Sequence, residues 1–197
     1  MKPAELFEEK HRLAAVIDHT LLKPEATQTD IERVCEEALI YGFAAVCINP
    51  FWVPVAAQKL EASPVRVCTV VGFPLGCNAP EAKMQEANIA RCAGAEEIDM
   101  VINIGALRSG DYAAVQEDVA GVAEVVHDGG GLLKVIIETC LLTNEQKIKA
   151  SRLAVEAGAD FVKTSTGFST GGATISVFSF TAGTAGAAAA ISGGAGS

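Results

Sequence analysis

The sequence predicts an α/β chain whose parallel strands curl into a barrel of the (β/α)8 kind, incomplete here with about six βα units. Short runs rich in Val and Ile alternate with longer stretches of helical period, the pattern of βα units around a parallel sheet. The strands begin near residues 14, 44, 66, 97, 132 and 160, a spacing of about 30 residues, which is one βα unit. No G-x-G-x-x-G turn follows the first strand, as a doubly wound dinucleotide sheet would favour. Eight units need roughly 250 residues. The chain has 197, and only about 33 follow the sixth strand.

The expected strands are 14–18, 44–49, 66–71, 97–103, 132–138 and 160–164. The first helix is expected over 30–41, with Thr29 as N-cap and Gly42 just past the end. Ile31, Val34, Cys35, Ala38 and Leu39 would form its buried stripe. Further helices are expected over 52–60, 80–92, 112–126 and 144–157, each closing near a turn signal.

Half the residues are hydrophobic and a fifth are charged, a globular composition. The net charge of -9 argues against a broad nucleic-acid surface, which needs clustered cations. The opening MKPAELFEEKHRLAA carries Glu5, Glu8 and Glu9 and no continuous apolar run, so neither a secretory nor a transit peptide fits, and a cytoplasmic location is expected. Cysteines 35, 47, 68, 77, 92 and 140 include no C-x-x-C pair, and reduced thiols are expected.

All 39 acidic and basic residues lie at or before Lys163, and 18 of the 23 residues in 175–197 are Gly, Ala, Ser or Thr. This divides the chain into a barrel domain over 1–174 and a low-complexity, poorly ordered tail over 175–197. Gly, Ser and Thr dilute the tail below a membrane span, so no membrane partner is expected.

Several strands carry polar residues. In Asp160-Phe-Val-Lys-Thr164, period 2 puts Phe161 and Lys163 on one face. Lys163 stands at the carboxyl end of its strand, where barrels place their chemistry. A buried amine loses proton affinity and can attack a carbonyl to form an imine; the alternative is a lysine that snorkels to the rim. On 97–103, Glu97, Asp99 and Asn103 share the inward face while Ile98, Met100 and Ile102 meet the helices. Asp99 would relay protons beside an imine lysine, or serve as a structural carboxylate paired with Lys134. Lys134 and Glu138 share a face of the fifth strand, and Asp18, His19, Thr20 and Lys23 lie at the end of the first. His19 reads as a hydrogen-bonded rim residue, three histidines without ligand spacing argue against zinc, and Cys47 reads as packing. Gly72 and Gly76 follow the third strand, and Gly167, Gly171 and Gly172 the sixth. Backbone amides there, with the hydroxyls of Ser165, Thr166 and Ser169, could hold a phosphate, though an ordinary flexible loop explains the same letters.

Five ordered motifs then carry a specific resemblance: Ile17-Asp-His-Thr-Leu-Leu-Lys-Pro24, Val70-Val-Gly-Phe-Pro-Leu-Gly76, Glu97-Ile-Asp-Met-Val-Ile-Asn-Ile-Gly105, Leu133-Lys-Val-Ile-Ile-Glu-Thr139 and Gly158-Ala-Asp-Phe-Val-Lys-Thr-Ser-Thr-Gly-Phe168. Over about residues 12–174 the chain resembles the deoxyribose-phosphate aldolases, class I lyases that work through a Schiff base on a TIM barrel. The resemblance implies reversible cleavage of 2-deoxy-D-ribose 5-phosphate to acetaldehyde and D-glyceraldehyde 3-phosphate, in deoxyribose phosphate catabolism. It implies a small phosphorylated aldehyde or sugar as partner and is compatible with a homo-oligomer; no cofactor and no metal are expected. By matching position, Lys163 is the Schiff-base lysine and Asp99 the proton-relay carboxylate. Asp18, Cys47 and Lys134 line the pocket, with Thr166 and Gly171 as further pocket candidates.

The departure lies after Lys163. Family members continue into a seventh strand bearing a second lysine, whose charge depresses the pKa of the first, and an eighth ending in a phosphate loop. Neither pattern occurs in 164–197, where there is no Lys or Arg. The competing expectation is therefore a catalytically weak or inactive remnant that binds aldehyde or self-associates.

Overall fold

The computed structural model describes residues 12–174, 188–190 and 192–194. In chain order the elements are β1 (Asp18–Leu21), α1 (Gln28–Tyr41), β2 (Ala45–Ile48), α2 (Val53–Lys59), β3 (Arg66–Val71), α3 (Pro80–Cys92), β4 (Glu97–Val101), α4 (Ile104–Arg108), α5 (Tyr112–Asp128), β5 (Leu132–Ile136), α6 (Asn144–Glu156) and β6 (Phe161–Lys163). Two three-residue strands, β7 (Ala188–Ala190) and β8 (Ser192–Gly194), complete the sheet. The strand order is β7-β6-β5-β4-β3-β2-β1-β8, and every neighbouring pair is parallel.

The two ends of that order, β7 and β8, are two residues apart in the chain, a reach of about 7 Å at most. The sheet is therefore curled, its edges brought together as in a barrel. Six βα-type strands supply the wall, as the sequence predicts. The edges of β1 and β6 pair with β8 and β7. For the rest of 175–197, the expectation of a poorly ordered tail lies outside the described residues.

Alternation along the strands sorts side chains into two layers. Val46, Ile48, Val67, Val71, Ile98, Met100, Leu133, Val135 and Val162 point outward into one core with α1, α2, α3, α5 and α6. The inner face holds a much smaller apolar cluster, Ala45, Cys47, Cys68 and Val70. Its remaining volume is filled by charged residues, described below.

Element ends differ from expectation where local hydrogen bonds compete. The first strand starts at Asp18 rather than 14, because the Val16 and Ile17 amides donate to Leu13 and Ala14 carbonyls in a turn. The first helix is capped by Thr27, not Thr29. The Thr27 hydroxyl accepts from the Asp30 amide and the Asp30 carboxylate accepts from the Thr27 amide, a capping box. Leu39 is 44% exposed and leaves the expected stripe. β4 stops at Val101 because Asn103 caps the short helix α4. Among the described residues, no helix is long and apolar enough to cross a membrane.

Candidate active site

The inner face is organised around two buried lysines. Lys134, at the centre of β5, directs its ammonium toward Asp18 at 2.7 Å, Glu97 at 2.5 Å and Asp99 at 3.4 Å. Lys163, at the end of β6, lies 3.2 Å from Asp18 and donates a very short hydrogen bond to Asp99. Arg66 closes the outer end of the chain of charges, 3.0 Å from Glu97. Three cations thus meet three carboxylates. Such balance is what permits charge inside a protein, since an ion taken out of water without a partner costs several kcal/mol.

Register explains why these groups meet. Lys134 sits beside Asp99 on β4, and Lys163 beside Ile136 on β5. Lys163 therefore stands two residues closer to the carboxyl end than Lys134, one inward layer higher. Asp18 reaches both lysines from β1, across the curled sheet.

The charges set one another's protonation. Burial, the largest single influence on Lys163, pulls its proton affinity down, but the Asp99 carboxylate opposes it and the ammonium is held above the usual lysine range. Lys134 opposes its own burial in the same way, through the carboxylates of Asp99, Asp18 and Glu97. Burial raises Asp99, yet Lys163 and Lys134 win and hold it below the usual carboxylate value. Burial drives the Cys68 thiol well upward. The expectation that burial leaves Lys163 with less proton affinity is corrected here: in this packing the carboxylates prevail.

Of the expected site residues, Lys163, Asp99, Asp18, Lys134 and Cys47 converge. Cys47 Sγ lies 3.9 Å from Asp99 Oδ2. A cavity of about 10 Å³, lined by Cys47, Asp99, Lys163, Ser165, Thr166 and Phe73 among others, has room for about one water. Phe73, which lines this cavity, meets the half-exposed Phe168 edge-to-face at 5.3 Å. Thr166 lines the cavity, but its amide and hydroxyl both donate to Glu138 Oε2. Gly171 lies instead against Cys140, outside the cavity lining. His19 lies on the helix side of the sheet, 2.6 Å from Glu37, with its ring 4.8 Å from that of Phe43.

The sequence reading left Glu97, Cys68 and Arg66 without a role. Their signal was present: Glu97 is two residues before Asp99, and Cys68 alternates inward with Val70. Cys47, Cys68 and Asp99, and separately Asp18, Cys68 and Glu97, bring metal-type donor atoms within 4.8 Å of one another. Both sets already face lysine ammoniums, which a cation would have to displace. A larger cavity of about 450 Å³ lies at the opposite end of the strands, against Arg66, Arg91, Glu96 and the glycines 129–131. It contains none of the expected site residues.

Comparison with known proteins places this arrangement. The model of the DeoC/LacD family aldolases matches residues 12–197, past residue 174 where the resemblance read from the sequence ends. A deoxyribose-phosphate aldolase of Clostridium perfringens is 59% identical over 166 residues, 84% of this chain and 74% of that protein. One from a Geobacillus species is 57% identical over 165 residues, with the same coverage. Among solved structures, the tetrameric deoxyribose phosphate aldolase of Aeropyrum pernix superposes with a TM-score of 0.86 at 32% identity, covering 98% of this chain and 86% of that one.

Proposed function

Because this chain belongs to the DeoC/LacD aldolase family, we propose that it is a class I lyase that cleaves 2-deoxy-D-ribose 5-phosphate reversibly to acetaldehyde and D-glyceraldehyde 3-phosphate, with Lys163 as the imine-forming residue. The observation that carries the reading is Lys163 itself, a buried amine at the carboxyl end of a barrel strand, hydrogen-bonded to a buried carboxylate.

The chemistry begins with loss of the Lys163 proton, for which Asp99 is the nearest acceptor. The neutral Nζ attacks the aldehyde carbon of the open-chain sugar, and loss of water leaves a protonated imine. A carboxylate, Asp99 directly or through water, takes the proton of the C3 hydroxyl. The C2–C3 bond then breaks, its electrons moving into a C1–C2 double bond and neutralising the nitrogen. Glyceraldehyde 3-phosphate leaves, C2 is protonated, and hydrolysis frees acetaldehyde and restores the lysine. Lys134 lowers the proton affinity of Asp99, so the protons it accepts are passed on, and it opposes reprotonation of Lys163.

The substrate class is a small phosphorylated sugar or aldehyde, and the tetrameric relative supports self-association into a homo-oligomer. A cytoplasmic site of deoxyribose phosphate catabolism fits this chemistry. We also propose a barrel domain over 1–174 followed by the low-complexity segment 175–197, from which β7 and β8 join the sheet. Incubation with acetaldehyde and a hydride reductant should leave an ethyl group on the peptide containing Lys163. Labelling spread over surface lysines, unchanged in Lys163→Arg, refutes the assignment.

A second reading, an aldehyde-binding protein of weak turnover, is favoured by one observation: Asp99 and Asp18 hold the Lys163 proton tightly. Trapping at Lys163 without measurable sugar cleavage is its signature.

A further inference from the structure

Glu138 stands at an unusual place in the chain. It follows the last residues of β5 with φ 50 and ψ 67, a left-handed conformation disfavoured for a side chain that carries Cβ. The backbone rungs on either side explain the geometry. The Ile137 amide donates to the Lys163 carbonyl at 3.0 Å and the Thr139 amide to the Thr164 carbonyl at 2.8 Å. Two steps on this strand therefore match one step on its neighbour, as in a β-bulge, and Glu138 is the extra residue. Bulges of this kind re-aim a side chain, and here the carboxylate turns under the loop that follows Lys163.

Glu138 is only 2% exposed. Its Oε2 accepts from the Thr166 amide at 3.2 Å and from the Thr166 hydroxyl at 2.5 Å. The Thr166 hydroxyl oxygen in turn accepts from the Phe168 amide at 3.1 Å, and the Phe168 ring meets Phe73 at the cavity. A single oxygen therefore holds Thr166, the third residue after Lys163, and through its hydroxyl the Phe168 amide. With both Thr166 donors engaged, the carboxylate acts on the loop and not on a phosphate, which its charge would repel.

We propose that Glu138 is a positioning residue for the imine chemistry: its bulge-aimed carboxylate holds Thr166, and through it fixes the wall of the site directly after Lys163. The proposal rests on the aldolase reading of Lys163. It adds a group that touches neither the substrate nor the reacting nitrogen.

Two substitutions separate position from mere presence. Asn tolerates a left-handed backbone, so Glu138→Asn keeps the bulge, but its side chain is one methylene too short to reach Thr166. Glu138→Gln keeps the reach and can place its amide oxygen where both Thr166 bonds now end. Each variant is measured for reductive trapping of acetaldehyde at Lys163, for deuterium exchange at the Thr166 amide, and for its urea unfolding midpoint. Glu138→Gln is expected to trap within about threefold of the parent. Glu138→Asn should trap at least about tenfold more slowly, exchange the Thr166 amide at least about tenfold faster, and unfold near the parental midpoint.

Glu138→Asn trapping at the parental rate, or Glu138→Gln losing as much as Asn, overturns the proposal. So does failure of both Glu138→Asn and Glu138→Gly to fold, because each accepts the backbone angle and Glu138 would then be a residue of the fold. A parent chain that traps no aldehyde at Lys163 refutes the aldolase reading and with it this role. A parent that traps normally beside an equally active Asn variant refutes the role alone.

Discussion

Lys163 and Asp99 are hydrogen-bonded inside the curled sheet although their strands, β6 and β4, are separated by β5. The intervening strand makes the contact possible by placing Lys134 one layer below Lys163, where its ammonium shares Asp18 and Asp99. The nucleophile, its proton acceptor and the cation that keeps the acceptor ionised form one connected cluster. The same contact opposes the chemistry at rest, since a carboxylate that can accept the lysine's proton also stabilises it in place.

The six cysteines divide by environment. Cys35, Cys47 and Cys68 are buried, and Cys77, Cys92 and Cys140 are exposed. Burial also pushes the Cys35 thiol up to about 11 and Cys68 well upward, which removes the reactive thiolate. Iodoacetamide at pH 8 is therefore expected to modify Cys77, Cys92 and Cys140 in the native chain, and the other three only after unfolding. Peptide mass mapping reads the pattern; rapid native labelling of Cys68 would contradict its placement.

Away from the site, Lys83 is fully buried, its ammonium 2.5 Å from Asp118 and 3.0 Å from the Val101 carbonyl at the end of β4. Burial raises the Asp118 pKa against the pull of Lys83. Lys83→Met leaves that carboxylate unpaired and should cost about 3 to 5 kcal/mol in urea unfolding. Lys83→Met with Asp118→Leu should recover most of the loss, because an apolar pair of similar volume avoids the desolvation. A double variant as unstable as the single one would show that the bond to Val101 matters more than the charge.

The β3–α3 loop gives a sharper case. Gly76 has φ +70, and a Cβ built there would lie 1.9 Å from the Ile102 carbonyl oxygen. Backbone cannot yield as a flexible side chain can. Gly76→Ala is expected to lose at least about 3 kcal/mol, whereas Gly42→Ala, with φ +70 and nothing within 4 Å, should lose about 1 kcal/mol. Equal losses in thermal or urea melts would mean that the left-handed angle, and not the clash, sets the cost.

Much of this was legible in the letters, for identifiable reasons. Period 2 placed Asp99, Lys134 and Lys163 inward, because apolar residues at Ile98, Met100, Leu133, Val135 and Val162 had to face the helices. Helix α3 was read to the residue, since Pro80 marks its start and its apolar period runs to the end. The ends of β1 and the cap of α1 were not, because turns and capping boxes are decided by a few competing hydrogen bonds rather than by period. The Lys163 proton affinity was misread for a different reason. Burial follows from a strand's own pattern, but the opposing carboxylates come from β1 and β4, and their distances depend on how the sheet curls. Glu138 was misplaced because a bulge breaks the alternation by which it was assigned.

The Lys163–Asp99 pair gives the last prediction, on pH. Lys163 is held above the usual lysine value of about 10.4, so its neutral fraction should rise about tenfold per unit between pH 6 and 9. The rate of acetaldehyde trapping should rise with it, with a slope near one on a logarithmic plot. Unfolding does not intrude on that window. Asp99 has a folded pKa below its unfolded value of about 3.9, so its stabilisation is present above that value and lost only as pH falls through the folded pKa. The raised lysine stabilises fully below about pH 10.4, and that contribution is lost only as pH rises through its folded pKa. Asp99→Asn removes the carboxylate while burial and Lys134 remain to pull the Lys163 pKa down. Trapping at pH 7 should therefore speed up by at least about tenfold, while cleavage of the sugar phosphate slows because the proton acceptor is gone. Opposite signs in the two assays identify Asp99 as both the brake on the resting lysine and the base of the reaction. If trapping and cleavage fall together in Asp99→Asn, the carboxylate is needed to free the amine, and a raised resting pKa is not what limits imine formation.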